Sequence, residues 1–534
     1  MPRPPGPGPT PNLATVTEPA ADLLRFTVDG RAVEVPDDGA SLLHVLREQL
    51  GLAGPKDGCS PQGQCGCCTV LVDGAARVAC VTPARRVQGR AITTIDGLDP
   101  TVCDGWADAL CATGGSQCGF CTPGIITRLA ALDAKGGAVG PPAVERALQA
   151  HLCRCTGWQT IEEAWRLVHD GGAGTGGRDL DAAARRAAIE GRTPQHVGPA
   201  VALGAGGFAD DGAPEGALVA VPDGAGGWAV GETLAEARRL AGKVQGRRTT
   251  VAPAPPIELP PGPWDAALRT AWVDPAYLET DASWCVPGGE PASVAGNGGA
   301  FGGKADSPLP AVARRLADQH GRPVRVLWSR EDAVQHGAKR PPVAGGARAD
   351  GTGIVRVAAT PGIAAAIARV APGLVVEEVA VPGPPTSSAI RAAGWAEAEV
   401  LLAGARRALR PVTGPEGGVA EAAVEDGRIR VQVAAGDPLD AAVLRAYAIG
   451  AAHMAASWVT SEGLAVDAEG VVQDLTVRSL GVLRAVDTPP IDVEIDPTTG
   501  PPVNGSDAVF AAVAAAVWLA QGCPTDWPTR GALR

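Results

Sequence analysis

Residues 57–80 read DGCSPQGQCGCCTVLVDGAARVAC and carry Cys59, Cys65 and Cys68 on one loop, with Cys80 on a following strand. This approximates the plant-type spacing in which four soft, anionic thiolates ligate two tetrahedral irons. Gly58, Gly63 and Gly66 let the loop wrap with its backbone N–H groups pointing inward. Five residues separate the first two cysteines where four are usual, so the loop bulges by one residue, which Gly63 accommodates. A structural zinc site competes, because Cys65 and Cys68 form a C-x2-C pair. Against it, a zinc ribbon uses two such pairs, and Cys59 and Cys80 have no near partner. Cys67 reads as a packed spare thiol.

Upstream of this loop, residues 24–28 and 32–35 flank Asp29-Gly30 and predict a hairpin with a primed turn. Ser41 can cap a helix whose Leu42, Leu43, Leu46 and Leu50 form one apolar face, closed by Gly51. Downstream, 69–72 and 77–79 flank Asp73-Gly74 as a second hairpin. The spacing therefore predicts a small mixed sheet over one helix for residues 21–97. Residues 1–20 are Pro-rich, hold too little apolar surface to order, and read as an arm. From Trp106 the pattern turns helical, with Ile125, Ile126, Leu129 and Leu132, then Val144, Ala147 and Leu148, then Ile161, Trp165 and Val168. That predicts a short helical bundle over 98–170. Cys118-Gly-Phe-Cys121 and Cys153-Arg-Cys155 fall at its helix ends, and the C-x-C pair is the unusual feature. A Gly-rich run at 171–177 opens a linker assigned to 171–198. Residues 199–534 read as a long mixed region with a helix at about 508–519 that Gly522 can close.

At 534 residues the chain needs several cores. A formal net charge of -12 leaves no basic footprint for nucleic acid. No run of eighteen apolar residues and no hydrophobic leader segment is present, so the expectation is a cytoplasmic protein without a membrane span. Of thirteen cysteines, eight stand in ligand-like spacings; Cys67, Cys103, Cys111, Cys285 and Cys523 do not. Such clustering without an export signal favours metal ligation over disulfides.

The segments GGSQCGFCTPGII (114–126) and HLCRCTGWQTI (151–161), preceded by AITTIDGL (91–98), closely resemble the helical iron-sulfur domain of the molybdenum hydroxylases, the family of xanthine dehydrogenase and aldehyde oxidoreductase. The resemblance runs over residues 22–168 and implies an α+β multidomain protein. A β-grasp ferredoxin-like domain would hold one [2Fe-2S] cluster on Cys59, Cys65, Cys68 and Cys80. A helical-bundle domain would hold a second on Cys118, Cys121, Cys153 and Cys155. It also implies electron transfer from a molybdenum centre through the second cluster to the first, and then to flavin. Gln117 resembles the residue that hydrogen-bonds the pterin; simple helix capping is its other reading.

Residues 199–534 are similar to a shortened mixed α/β molybdopterin-binding region, with matching pieces in order at 206–221, 276–290, 298–332, 387–401 and 505–518. On the loop 298–303, unhindered N–H groups could approach an anionic cofactor. The resemblance places Gly299, Ala300, Phe301 and Gly302 at the cofactor and Arg391 beside the metal; a surface ion pair is the other reading of Arg391. The family's catalytic glutamate is replaced by Ser506, with Asp507 one residue later, so Asp507 is either the base or a helix-starting residue. The segment bearing the apical glutamine is replaced by 289–298, and a glycine-rich cofactor-gripping segment is missing between about 405 and 438. No flavin domain is legible.

Two functions remain open. One is molybdenum-dependent hydroxylation of an aldehyde or N-heterocycle by this chain. The other is a non-catalytic [2Fe-2S] electron-transfer subunit whose C-terminal region docks a separate molybdenum or FAD subunit.

Overall fold

Asp29 and Gly30, with φ of 50° and 77°, are the two successive left-handed residues that a primed turn needs. They join β1 (Leu23–Val28) to β2 (Arg31–Pro36), with Val28 opposite Arg31. Asp73 and Gly74 repeat the device between β3 (Thr69–Val72) and β4 (Ala75–Val78). β5 (Ala91–Thr93) then slots in parallel to β1 and antiparallel to β3, giving the order β2-β1-β5-β3-β4. The computed structural model describes residues 23–136, 140–170, 178–242, 246 and 251–531; the arm assigned to 1–20 lies outside them.

Two local readings are corrected in this sheet. The helix expected over 42–50 is a single α turn, Leu42–His44, capped by Ser41, that widens into a π turn at Val45–Gln49. The Leu50 N–H reaches back five residues to the Val45 carbonyl, which keeps Val45 and Leu46 fully buried. The second hairpin's outer strand stops at Val78, and Cys80 rides on a 3-10 turn, Ala79–Val81, rather than on a strand.

Among the described residues four helices follow: α1 (Pro100–Thr113), α2 (Thr122–Asp133), α3 (Pro141–Leu148) and α4 (Gln159–His169). α1 starts where the Asp99 carboxylate accepts the Thr101 N–H and stops at left-handed Gly114, the asymmetry expected of helix ends. α1 packs on α4, and α2 packs on α3 and β3.

The linker assigned to 171–198 is not one over its described part. Residues 171–177 lie outside the described residues, but α5 (Leu180–Gly191), capped by Asp179, is a buried element packed on a long C-terminal helix. Its face of Ala182, Arg186 and Glu190 is turned inward, so composition extended the linker over an ordered helix.

Among the described residues the remainder contains three sheets. The strands β6 (Leu218–Pro222), β7 (Trp228–Gly231), β9 (Ala282–Cys285) and β10 (Val324–Leu327) make one of order β7-β6-β10-β9. The second is β13-β12-β11-β8-β18, from β8 (Ala266–Thr270), β11 (Val343–Ala347), β12 (Gly353–Ala358), β13 (Leu374–Val379) and β18 (Asp526–Trp527). The third is β14-β15-β16-β17, from β14 (Val412–Thr413), β15 (Val419–Glu425), β16 (Arg428–Ala434) and β17 (Ile491–Ile495). The helices that matter below are α6 (Arg330–His336), α7 (Trp395–Arg406), α8 (Ala441–Thr460) and α9 (Ser506–Ala520). α9 begins two residues before its expected start and is followed by Gly522 at φ 77°.

α8 and α9 are apolar on nearly every face and pack on each other, as helices at the centre of a core do. Among its polar side chains α8 buries the ring of His453. Its Nε2 lies 3.2 Å from the Leu483 carbonyl, and burial, followed by the nearby Arg154 charge, lowers its pKa to about 3. The folded state therefore binds fewer protons than the unfolded chain between pH 6.5 and 3, so stability is lost as pH falls through that window. We expect chemical denaturation to show the unfolding free energy falling by about 1 kcal/mol per pH unit below pH 6 on account of His453. His453→Gln should flatten that part of the profile.

Candidate metal centres

The eight cysteines of the two motifs gather into two quartets. In the first, Cys59 lies within hydrogen-bonding reach of Cys65 and Cys80, and Cys80 of Cys68; the Cys80 N–H points at Cys68 Sγ at 3.4 Å. In the second, Cys118 and Cys155 Sγ are 3.6 Å apart, and Cys121 pairs with Cys153. Metal–sulfur bonds of about 2.3 Å at tetrahedral angles put two thiolates on one metal about 3.7 Å apart. Two such pairs per quartet suit a diiron centre.

Local structure explains each position. Gly63 and Gly66, at φ 68° and 76°, turn the loop that carries Cys59, Cys65 and Cys68. A side chain at Gly66 would collide with the His151 ring at 2.4 Å. Cys121 is the N-cap of α2, which puts the positive end of that helix at the second quartet, and Cys153 and Cys155 precede α4. One thiol in each quartet, Cys59 through bonds from Cys65 and Cys80, and Cys153 through bonds from Cys121 and Thr156, is held below the ordinary cysteine pKa. The thiolate is the metal-binding form.

The quartets are linked through the backbone. The Leu152 N–H donates to the Cys65 carbonyl at 2.9 Å, and Leu152 is covalently joined to Cys153. Gly124 of α2 packs so closely that a Cβ there would lie 2.3 Å from the Gly66 carbonyl and 3.0 Å from Cys67. Cys67 is fully buried at this contact.

The residues assigned to a molybdenum cofactor also come together, but against one another. Arg391 donates its N–H to the Phe301 carbonyl at 3.0 Å and lays its guanidinium over the Phe301 ring at 4.5 Å. That guanidinium also reaches Asp507 Oδ1 (3.1 Å), Ser506 Oγ (3.1 Å) and Met454 Sδ (3.4 Å). Asp507 Oδ2 pairs with Arg192 at 2.8 Å. Both Asp507 oxygens are thus held by guanidinium groups, so Asp507 is neither a free base nor a backbone cap. Arg391 is a buried pair, not a surface one. Gly302, at φ 87°, could carry no Cβ without striking the Ala389 carbonyl at 1.9 Å.

Gly299 lies directly on the second quartet: a Cβ there would be 3.0 Å from Cys118 Sγ and 3.4 Å from Cys155 Sγ. Its Cα is therefore no more than about 4.5 Å from Cys118 Sγ. A flat pterin ring between the loop and the thiols needs about 7 Å from wall to wall. Ala300 is buried beside it in the same tight turn, its carbonyl accepting the Gly303 N–H. Gln117 is no helix cap: its amide nitrogen donates to the Cys155 and Ala446 carbonyls at 3.0 and 3.2 Å, while its buried Oε1 has no partner among the described residues. The cysteine quartets fit [2Fe-2S] clusters, and the space between Gly299 and the second quartet is too narrow for a pterin ring.

Glu190, on α5, was missed by the sequence reading. Its carboxylate accepts the Gly505 and Ser506 N–H groups at 3.2 and 2.8 Å and faces Arg186 at 3.4 Å. Burial raises its pKa, opposed by Arg186 and Ser506. Glu190 and Asn504, which accepts the Asp507 N–H at 3.0 Å, cap α9 in place of Asp507. The available signal was Ala182, Arg186 and Glu190 at four-residue spacing after the Asp179 cap. Glu190→Ala is expected to cost about 3 kcal/mol, because buried N–H groups and Arg186 lose their acceptor; denaturant unfolding would measure it.

Both cysteine motifs fall in stretches that match known domains. Residues 26–88 match a 2Fe-2S iron-sulfur cluster binding domain, and residues 94–166 match a [2Fe-2S] binding domain. A probable xanthine dehydrogenase subunit from Bacillus subtilis is 41% identical over 141 residues, which is 26% of this chain and 81% of that protein. The alpha subunit of isoquinoline 1-oxidoreductase from Brevundimonas diminuta is 40% identical over 145 residues, 27% of this chain and 94% of that protein. The solved aldehyde oxidoreductase of Desulfovibrio gigas superposes with a TM-score of 0.67 at 15% identity, covering 93% of this chain and 97% of that one, a likeness of fold. With two [2Fe-2S] binding domains in this order, the chain belongs to the molybdenum hydroxylase family of xanthine dehydrogenases and aldehyde oxidoreductases.

Proposed function

We propose that this chain is the electron-carrying part of a molybdenum hydroxylase-type oxidoreductase. Electrons released when an aldehyde or N-heterocycle is hydroxylated would enter at the second quartet and leave through the first. The hydrogen bond from Leu152 to the Cys65 carbonyl carries this reading, since it joins the ligands of the two centres by one short backbone bridge. When bound, two [2Fe-2S] clusters supply one-electron acceptance. The chain's own residues bury seven of the eight thiols, keep water from them, and fix the spacing between the quartets.

Separate partner subunits, carrying molybdenum or FAD, belong to the same reading, supported by relatives that are named as subunits. Among the described residues no helix is long and apolar enough to cross a membrane; a cytoplasmic setting is part of the proposal. Domain limits near 97 and 170 and the eight cysteine ligands are proposed on the same grounds.

A second reading, hydroxylation within this chain, is favoured by the meeting of Phe301, Gly302 and Arg391. Iron, sulfide and molybdenum analysis of the purified full chain separates the two. The relay reading expects about four irons per chain without stoichiometric molybdenum, and Cys121→Ser should remove about half of the iron. One molybdenum per four irons would move hydroxylation into this chain, and zinc in place of iron would end both readings.

A further inference from the structure

Arg330, at the start of α6, is 1% exposed. Its guanidinium donates to the Gly58 carbonyl at 3.0 and 2.8 Å and to the Leu278 carbonyl at 2.7 Å, and it lies over the Tyr277 ring at 5.9 Å. Among the described residues no carboxylate comes within salt-bridge distance of it. A buried guanidinium without a counter-charge is costly, because neutral carbonyls satisfy its N–H groups but not its charge.

Gly58 immediately precedes Cys59, and a Cβ on Gly58 would touch Cys65 Sγ at 3.2 Å. The guanidinium is thus no more than about 9 Å from Cys65 Sγ. A diiron centre on four thiolates is anionic and gains one further negative charge on one-electron reduction. The nearest carboxylates, Glu331 next in the chain and buried Asp281, which accepts from the Tyr277 hydroxyl at 2.7 Å, stand beyond salt-bridge distance of Arg330 among the described residues. Asp57 accepts from Ser60 at 3.0 Å and faces Arg238 at 3.9 Å, Glu331 accepts from Gln62 at 2.9 Å, and Lys56 pairs with Asp211. At the rim, Arg478 donates to the Gln64 carbonyl at 3.3 Å and to the Gln149 carbonyl at 2.7 Å.

The cations at the second quartet differ. Arg154, between Cys153 and Cys155, is paired with Glu462 at 2.8 Å, and Lys304, near Gly299, with Glu279 at 2.8 Å. Their charges are offset locally.

We propose that Arg330 is the counter-charge of the first [2Fe-2S] cluster, with Arg478 as a weaker, exposed second, so that the C-terminal region raises that cluster's reduction potential selectively. These are positioning residues: they act on the cluster through the loop carbonyls and through space. Reduction adds negative charge near a fixed cation, which the low-dielectric surroundings strengthen, while solvent screens Arg478. The inference rests on the two-cluster reading above.

The test uses the full chain with its clusters in place, poised at a series of potentials and followed by electron paramagnetic resonance. The signal that Cys80→Ser alters is assigned to the first cluster. Arg330→Gln should shift that cluster's reduction equilibrium roughly tenfold toward the oxidised form, or about 59 mV for one electron, and the other cluster's by less than threefold. Arg330→Lys should restore most of the shift. Arg478→Gln should move the same cluster in the same direction by roughly twofold to threefold, which keeps the test decisive if Arg330→Gln fails to assemble. Unchanged midpoints in a variant with full iron content, or equal shifts in both clusters, would overturn the inference. Absence of clusters from the unmodified chain would instead overturn the two-cluster reading itself.

Discussion

Sulfur atoms 3.6 Å apart at Cys118 and Cys155, and the matching contacts among the other six thiols, set the demand that organises this protein. Thiolates gathered this closely in a buried site repel one another, so they need metal, N–H dipoles and compensating cations around them. The glycine turns of the first loop, the helix end at Cys121, and the arginines at Gly58 and Gln64 all answer it. The backbone bond between Leu152 and Cys65 is a consequence: the two motifs meet edge to edge, with Gly124 leaving just enough room.

The C-terminal region supplies much of that environment. α8 lies so near the second quartet that a Cβ on Gly450 would strike the Cys155 carbonyl at 1.9 Å, and Glu462, just beyond α8, neutralises Arg154. Ion pairs fasten the same region to the ferredoxin-like domain, Arg47 to Asp210 and Asp211 at 2.8 Å and Arg325 to Glu48 at 2.6 Å. These pairs are largely buried. Their worth lies less in net stability than in holding one relative placement, since breaking either partner leaves a buried charge.

Polar groups of this region satisfy one another. Gly299 rests on the cluster thiols, and Arg391, Asp507 and Arg192 satisfy one another. Glu190 occupies the start of α9 and accepts the Ser506 N–H. Buried polar groups must find partners or carry an unsatisfied burial cost. This network is such a solution, and it leaves the electron relay as the function the geometry serves best.

How much was legible in advance follows the range of the forces involved. The hairpins at Asp29-Gly30 and Asp73-Gly74, the helix start at Asp99 and the cysteine spacings are local: turn sterics, caps and ligand chemistry are written within a few residues. α5 was hidden behind the glycine run, because composition measures average flexibility and cannot register that Arg186 and Glu190 have acceptors and donors more than two hundred residues away. By itself the sequence determined the two cysteine quartets and the elements that carry them. Only the tertiary structure decided that Asp507 is locked between two arginines, that Gly299 fills the space above the second quartet, and that Arg330 stands beside the first with no carboxylate against it among the described residues. Each of those depends on which distant charges and backbones are packed together, and burial sets their energy.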